Sequence, residues 1–88
     1  MAKSKTPAKR ARRAEANRKR NASRVSAMKT AMKRFEAAVA DKDIELAREK
    51  LRTAISLVDR TAAKGIIHKN TAARRKSRLA RRLQALEG

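Results

Sequence analysis

In the stretch Val25-Ser26-Ala27-Met28-Lys29-Thr30-Ala31-Met32-Lys33-Arg34-Phe35-Glu36-Ala37-Ala38-Val39, the large apolar residues Val25, Met28, Met32, Phe35 and Val39 recur at steps of three, four, three and four. That spacing puts one apolar seam along an α-helix. Carried backwards, the same phase meets Asn21, Arg18, Ala14 and Ala11, so the seam stops near residue 25. The helix-forming composition does not stop there. Ala, Arg, Lys and Glu dominate back to Pro7, the only proline in the chain. Thr6 reads as an N-cap with Pro7 in the first helical position, where a missing N–H costs nothing. A helix over about residues 7–40 follows, about 50 Å long.

Two further helices complete the pattern. Asp41 or Asp43 caps a second, over about 43–63, with Glu45 suiting its N-terminal dipole. Ile44, Ala47, Leu51, Ala54, Ile55, Val58 and Ala62 share one side of it. Gly65 reads as a left-handed terminator. The third helix, about 67–86, brings Ile66 and Ile67 at its entry and Leu79, Leu83 and Leu86 towards its end. The fold class is all-α: an antiparallel three-helix bundle with a long, overhanging basic N-terminal helix. Residues 25–88 form the bundle. Residues 1–24 contain no Val, Ile, Leu, Phe or Tyr. They read as a basic helical extension, expected to be disordered in the free protein and to order on a polyanion.

Composition narrows the function. The 88 residues include 26 Lys and Arg against 8 Asp and Glu, a net charge of +18. Hydrophobic residues make up 41%, but 19 of them are Ala, too few large side chains for an enzyme core with a pocket. There is no Cys, which removes disulfides and thiolate metal sites. The longest apolar run, Ala37-Ala38-Val39-Ala40, is far short of a membrane span. Charge is uneven: residues 1–34 carry a net +12, residues 35–63 a net −1, and residues 64–88 a net +7. Two cationic segments flanking a balanced middle point to a polyanionic partner.

The cations themselves form two sets. Lys9, Arg10, Arg12, Arg13, Arg18, Lys19, Arg20 and Arg24 lie on the overhang and present charge around much of its circumference. A solubilising tail is the bland alternative, but such tails carry more Gly, Pro and Ser than this one. Phosphate binding by counterion release is the sharper reading, with Arg able to fork two phosphate oxygens. On the third helix Arg74, Arg78, Arg81 and Arg82 form one stripe, while Leu79, Leu83 and Leu86 point elsewhere. His68 reads first as a packed or capping residue beside Gly65, and second as an RNA contact. Asn70 and Thr71 are either ordinary helix-start residues or groups that help hold a phosphate.

Catalysis has no footing. The single histidine lies far from any carboxylate, no Gly-rich phosphate loop exists, and Glu45 and Glu49 read as salt-bridge partners of Arg48 and Arg52. No catalytic residue, metal site or cofactor is expected. With Phe35 the only aromatic, and on the core seam, there is no stacking platform for single-stranded bases. What remains is a folded, backbone-dense target bound through phosphates and 2′-hydroxyls, structured RNA before duplex DNA.

One block is more specific than charge. Lys64-Gly65-Ile66-Ile67-His68-Lys69-Asn70-Thr71-Ala72-Ala73-Arg74-Arg75-Lys76-Ser77-Arg78-Leu79-Ala80 closely resembles the C-terminal signature of the bacterial small-subunit ribosomal protein twenty family. Ala8-Lys9-Arg10-Ala11-Arg12-Arg13 and Lys29-Thr30-Ala31-Met32-Lys33 resemble it too, in the right order. The resemblance implies a structural constituent of the small ribosomal subunit, cytoplasmic, and a primary binder of small-subunit ribosomal RNA. The implied contacts are the 5′ domain and the adjacent long 3′ stem, with few or no protein contacts, no membrane, and a monomer within the ribosome. It places Lys9, Arg10, Arg12, Arg13, Arg18, His68, Lys69, Asn70, Arg74, Arg75, Lys76 and Arg78 in RNA-contacting blocks. Two rivals stand beside it: a DNA-compacting architectural protein, which needs the charge but not the 64–80 block, and an organelle-targeting or membrane-surface peptide. Residues 1–24 offer that last rival no large apolar face to insert.

Overall fold

The computed structural model describes residues 2–88, with side chains from residue 8 onwards, as three helices: α1 (Ala2–Ala40), α2 (Ile44–Ala63) and α3 (Lys69–Glu87). α1 begins before the proposed Thr6-Pro7 start and passes through Pro7. Proline's fixed φ lies in the helical range, and its missing N–H leaves one carbonyl near the start of the helix without an intrahelical partner. α3 starts at Lys69 rather than Ile67, because His68 stays extended (φ −71°, ψ 145°) and acts as the N-cap.

Ion pairs fix how the helices run. Arg48 meets Glu87 and Asp59 meets Lys76, so α2 and α3 are antiparallel. Arg75 meets Met32 and Arg82 meets Glu36, so α3 runs alongside α1 in the same direction. α2 lies between them in the chain and packs extensively on both, while α1 and α3 touch over a smaller area.

Both turns use the same device. After α2, the Gly65 N–H donates to the Ala62 carbonyl and the Ile66 N–H to the Thr61 carbonyl, closing the helix end with Gly65 at φ +74°. After α1, the Lys42 N–H donates to Val39 and the Asp43 N–H to Ala38 in the same pattern. Here the left-handed position is held by Lys42 at φ +57°, a conformation that costs any residue with a Cβ. Asp43 then caps α2, its Oδ1 accepting the Leu46 N–H at 3.1 Å.

The core is built on small residues as much as large ones. Phe35, Met28, Leu79 and Val58 are the largest fully buried side chains. Around them Ala31, Ala38, Ala47, Ala54 and Ala72 are buried as well. The seam of α1 therefore runs Met28, Ala31, Phe35, Ala38, with Val25, Met32 and Val39 at its half-buried edge. An expectation resting on large side chains alone turns the helix slightly away from its packing direction, because alanine is what lets two helices approach. Thr61 is the one buried polar residue among those described, and its hydroxyl donates to the Leu57 carbonyl at 2.6 Å. The molecule measures 67 × 22 × 13 Å with a radius of gyration of 17.7 Å. A compact chain of this length has about 12 Å. The difference is the overhang of α1.

Candidate nucleic-acid interface

The overhang has no neighbour to pack against. Lys9, Arg10, Arg12, Arg13, Arg18, Lys19 and Arg20 are exposed, and Arg24, where the bundle begins, is half-buried. Carried back in heptad steps, the seam of Met28, Ala31, Phe35 and Ala38 becomes Arg24, Asn21, Asn17, Ala14 and Arg10. The helical period also sorts the cations. Lys9, Arg12, Arg13, Lys19 and Arg20 fall on the flank that faces α2 further along α1, while Ala11, Ala14 and Ala22 gather on the opposite flank. Arg18, the one cation on that opposite flank, is paired with Glu15. The charge is thus concentrated on one half of the rod rather than spread around it.

α3 divides its basic residues among three tasks. Arg74, Arg78 and Arg81 are exposed on the side opposite the buried Ala72 and Leu79, where with Ser77 they border a shallow, open groove. Arg82 borders the same groove but turns towards α1, its guanidinium 2.8 Å from the Glu36 carboxylate. Lys76 is half-buried and lies 2.8 Å from Asp59 on α2. Arg75 is half-buried with its guanidinium 3.9 Å from the Met32 sulfur. The stripe read as Arg74, Arg78, Arg81 and Arg82 accordingly splits: three point outwards and one staples α3 to α1. Lys76 and Arg75 likewise serve packing.

At the start of α3 the backbone decides the roles. His68 is exposed and its Nδ1 accepts the Asn70 N–H at 3.1 Å, the capping role expected of it. Lys69 and Asn70 are exposed beside it, and Thr71 is half-buried. With the Asn70 amide taken by the cap, the start of α3 presents the exposed Lys69 at the positive end of the helix dipole, a setting that suits an anion. The expected pairing of Glu45 and Glu49 with Arg48 and Arg52 is not among the ion pairs of the described residues; Arg48 reaches across to Glu87 at 3.1 Å instead.

Two cations of a different sort escape any reading by net charge. Arg34 and Lys50 line a groove between α1 and α2, yet both fall in or beside a middle segment whose charges sum to nearly zero. A regional sum hides which side of a helix the acids occupy. No group of three or more His, Cys, Asp or Glu residues that could hold a metal ion occurs among the described residues. No helix among them is long and apolar enough to cross a membrane.

Known proteins share this sequence along nearly its whole length. A family model described as ribosomal protein S20 matches residues 2–84. The chain is similar to the small ribosomal subunit protein bS20 of Syntrophomonas wolfei, at 55% identity over 86 residues covering 98% of each chain. It is 51% identical over 87 residues to that of Geobacillus kaustophilus, covering 99% of this chain and 98% of the relative. To that of Syntrophobacter fumaroxidans it is 45% identical over 86 residues, covering 98% and 100%. On these matches the chain belongs to the ribosomal protein S20 family, a family of small-subunit ribosomal proteins and not of enzymes.

Proposed function

We propose that the chain is a primary binder of small-subunit ribosomal RNA in the cytoplasmic ribosome, and that it clamps and orders RNA helices during subunit assembly through Arg and Lys contacts to phosphates. The observation that carries this reading is the split among its cations. Arg48, Lys76 and Arg82 are partnered across helices by Glu87, Asp59 and Glu36, while Arg74, Arg78 and Arg81 and the overhang set Lys9 to Arg20, Arg18 excepted, have no ion-pair partner among the described residues. Unpartnered, exposed guanidinium groups held in rows on rigid helices suit a regular array of phosphates. The site comprises Lys9, Arg10, Arg12, Arg13, Arg18, Lys19, Arg20 and Arg24 on α1, with His68, Lys69, Asn70, Arg74, Arg75, Lys76, Arg78, Arg81 and Arg82 on α3. The partners are the 5′ domain and the adjacent long 3′ stem, met by a monomer with few or no protein contacts.

On this reading the chain has two functional parts. Residues 25–88 fold on their own core, whereas residues 1–24 have no core and take their helical form against RNA. A circular dichroism titration should show helix content rising on RNA addition; no gain removes the ordering step. The decisive experiment is binding to the folded 5′ domain of small-subunit ribosomal RNA in about 200 mM salt with excess duplex DNA, where non-specific contacts are weakened. Nanomolar binding that survives the competitor supports the reading. Binding lost equally to DNA overturns it in favour of a DNA-compacting architectural protein.

A further inference from the structure

Of the methionines in the chain, Met28 and Met32 stand one helical turn apart on α1 in different settings. Met28 is fully buried in one cluster with Val58 and Ala72. Met32 is half-buried at the rim, where it packs against both that cluster and the one around Phe35 and Leu79. Its Sδ lies 3.9 Å from Nη1 of Arg75 on α3. Arg75 is itself half-buried and has no carboxylate partner among the described residues. We propose that Met32 is a site of reversible oxidation by peroxides, and that Arg75 is the group that receives the resulting sulfoxide. The proposal adds a reaction to the chain and stands whatever the chain binds.

Three observations support the assignment. The first is access. A thioether is oxidised only where the oxidant reaches its sulfur. The packing that seals Met28 leaves part of Met32 open, so cover alone separates two residues of one type on one helix.

The second is the chemistry of the step. A lone pair on Sδ attacks the peroxide, an S–O bond forms and the O–O bond breaks. Sulfur loses two electrons and the peroxide gains them. With hydrogen peroxide, the transferred oxygen passes its proton to the departing one, which leaves as water. A guanidinium has five N–H donors, and the contact with Sδ engages one nitrogen of Arg75. The others are placed to hold the departing oxygen as charge builds on it. The return step uses a thiol-dependent sulfoxide reductase: two thiols become a disulfide and the oxygen leaves as water.

The third is the fit of the product. The gap of 3.9 Å exceeds an N–H···O bond of about 2.9 Å by roughly the room a sulfur-bound oxygen needs. A sulfoxide oxygen is a far stronger acceptor than a thioether sulfur, and it meets a cation with no carboxylate to satisfy it. α1 and α3 touch over a small area, and the links named between them are this contact and the Arg82–Glu36 pair. Oxidation of Met32 thus puts a charge-assisted hydrogen bond into that seam, and the bundle survives. Met28 has apolar neighbours instead, so an oxygen on its sulfur is an unpaired polar group in the core.

The test begins with the unaltered full chain, treated with hydrogen peroxide, cleaved after lysine and weighed by mass spectrometry. Lys29 puts Met28 and Met32 on separate peptides. Met32 should oxidise about tenfold faster than Met28 or more, because Met28 reacts only when the bundle opens. In concentrated guanidinium chloride the two rates should become equal. Thermal melts are then compared in a Met28→Leu background, before and after oxidation. With Arg75 present the midpoint should fall by only a few degrees. With Arg75→Ala the fall on oxidation should be about 5 °C larger, the loss of one hydrogen bond to a charged group. Arg75→Lys, which keeps a charged donor, should recover part of that difference, and Met32→Leu should show no response to peroxide. A sulfoxide reductase with a dithiol should restore both the original mass and the original melt. Equal oxidation of Met28 and Met32 in the folded chain overturns the site. An equal fall in the midpoint with and without Arg75 overturns the role of Arg75, and a sulfoxide that the reductase leaves in place overturns reversibility. The rate comparison needs no variant, so it decides the site even if Arg75→Ala does not fold.

Discussion

The two halves of α1 follow one heptad phase and do opposite things with it. From residue 28 onwards the phase carries Met28, Ala31, Phe35 and Ala38, and the helix is held by what those side chains bury against α2 and α3. Before residue 25 the same phase carries Arg10, Ala14, Asn17, Asn21 and Arg24, and the side chains of residues 8–20 are exposed or half-buried with no second helix beside them. The geometry is shared; the solvent for the seam is not. One half is a core segment whose helicity comes from apolar burial, the other a cationic rod with helix-favouring alanine and arginine but no apolar burial to hold it. Stability and RNA affinity are therefore expected to reside in different halves of one continuous helix, and mutations separate them.

The largest effect is expected from Phe35→Ala. Phe35 is fully buried at the centre of the bundle, and its truncation removes about 3–5 kcal/mol. A small domain has little more than that to lose. Thermal unfolding followed by circular dichroism should show the cooperative transition lost or shifted far down. RNA affinity should fall too, because the outer row of α3 is held in place only by the folded bundle. A variant that melts within a few degrees of the unaltered protein contradicts the placement of Phe35 in a tightly packed core.

Next comes the mirror experiment, Arg10→Ala/Arg12→Ala/Arg13→Ala. All three residues are exposed and without ion-pair partners among the described residues, so stability should change by less than about 0.5 kcal/mol. Alanine is in any case the better helix former. The slope of log affinity against log salt should nevertheless drop by about three, one for each phosphate released. A melting shift comparable to that of Phe35→Ala, with unaltered RNA binding, reverses the division of labour between the two halves.

This division explains what was readable in advance. Large apolar residues at steps of three and four located every helix, and the absence of such residues before Val25 located the overhang. The exact packing direction of α1 was not readable, because Ala31 and Ala38 are core residues that look like any other alanine. Nor was the split among the arginines of α3. Arg78 and Arg82 are one turn apart and alike in sequence, and only the presence of Glu36 on the neighbouring helix turns Arg82 inwards. Arg34 and Lys50 stayed hidden for a related reason: their groove exists only once two helices, far apart in the chain, lie side by side. Local chemistry is written in one helix; the pairing of charges is written between helices.

The two turns sharpen the account of the bundle half at a smaller scale. Gly65 and Lys42 occupy equivalent left-handed positions, at φ +74° and +57°, with matching carbonyl–amide hydrogen bonds. An added Cβ at Gly65 meets nothing within 4 Å, so Gly65→Ala should cost only the backbone penalty, about 1 kcal/mol. Lys42→Gly removes the same penalty at the other turn, and should stabilise the bundle by about 0.5 kcal/mol after the added freedom of the unfolded chain is subtracted. Melts of the two variants should move in opposite directions.

The smallest stability effect, and the most discriminating for the role of the partnered cations, is expected from Glu36→Ala. Its ion pair with Arg82 is 2.8 Å long, but both side chains are close to half-exposed, so water and salt screen it and its loss should cost less than about 0.5 kcal/mol. RNA affinity should move the other way. Removing Glu36 deletes a negative charge from the surface and frees Arg82 to join Arg74, Arg78 and Arg81 along the outer groove of α3. Affinity at low salt should then rise a few-fold, about threefold, and the gain should vanish as salt is raised. If affinity falls instead, Glu36 holds the Arg82 guanidinium in the orientation that RNA requires. The ion pairs between helices are then part of the binding surface rather than competitors for it.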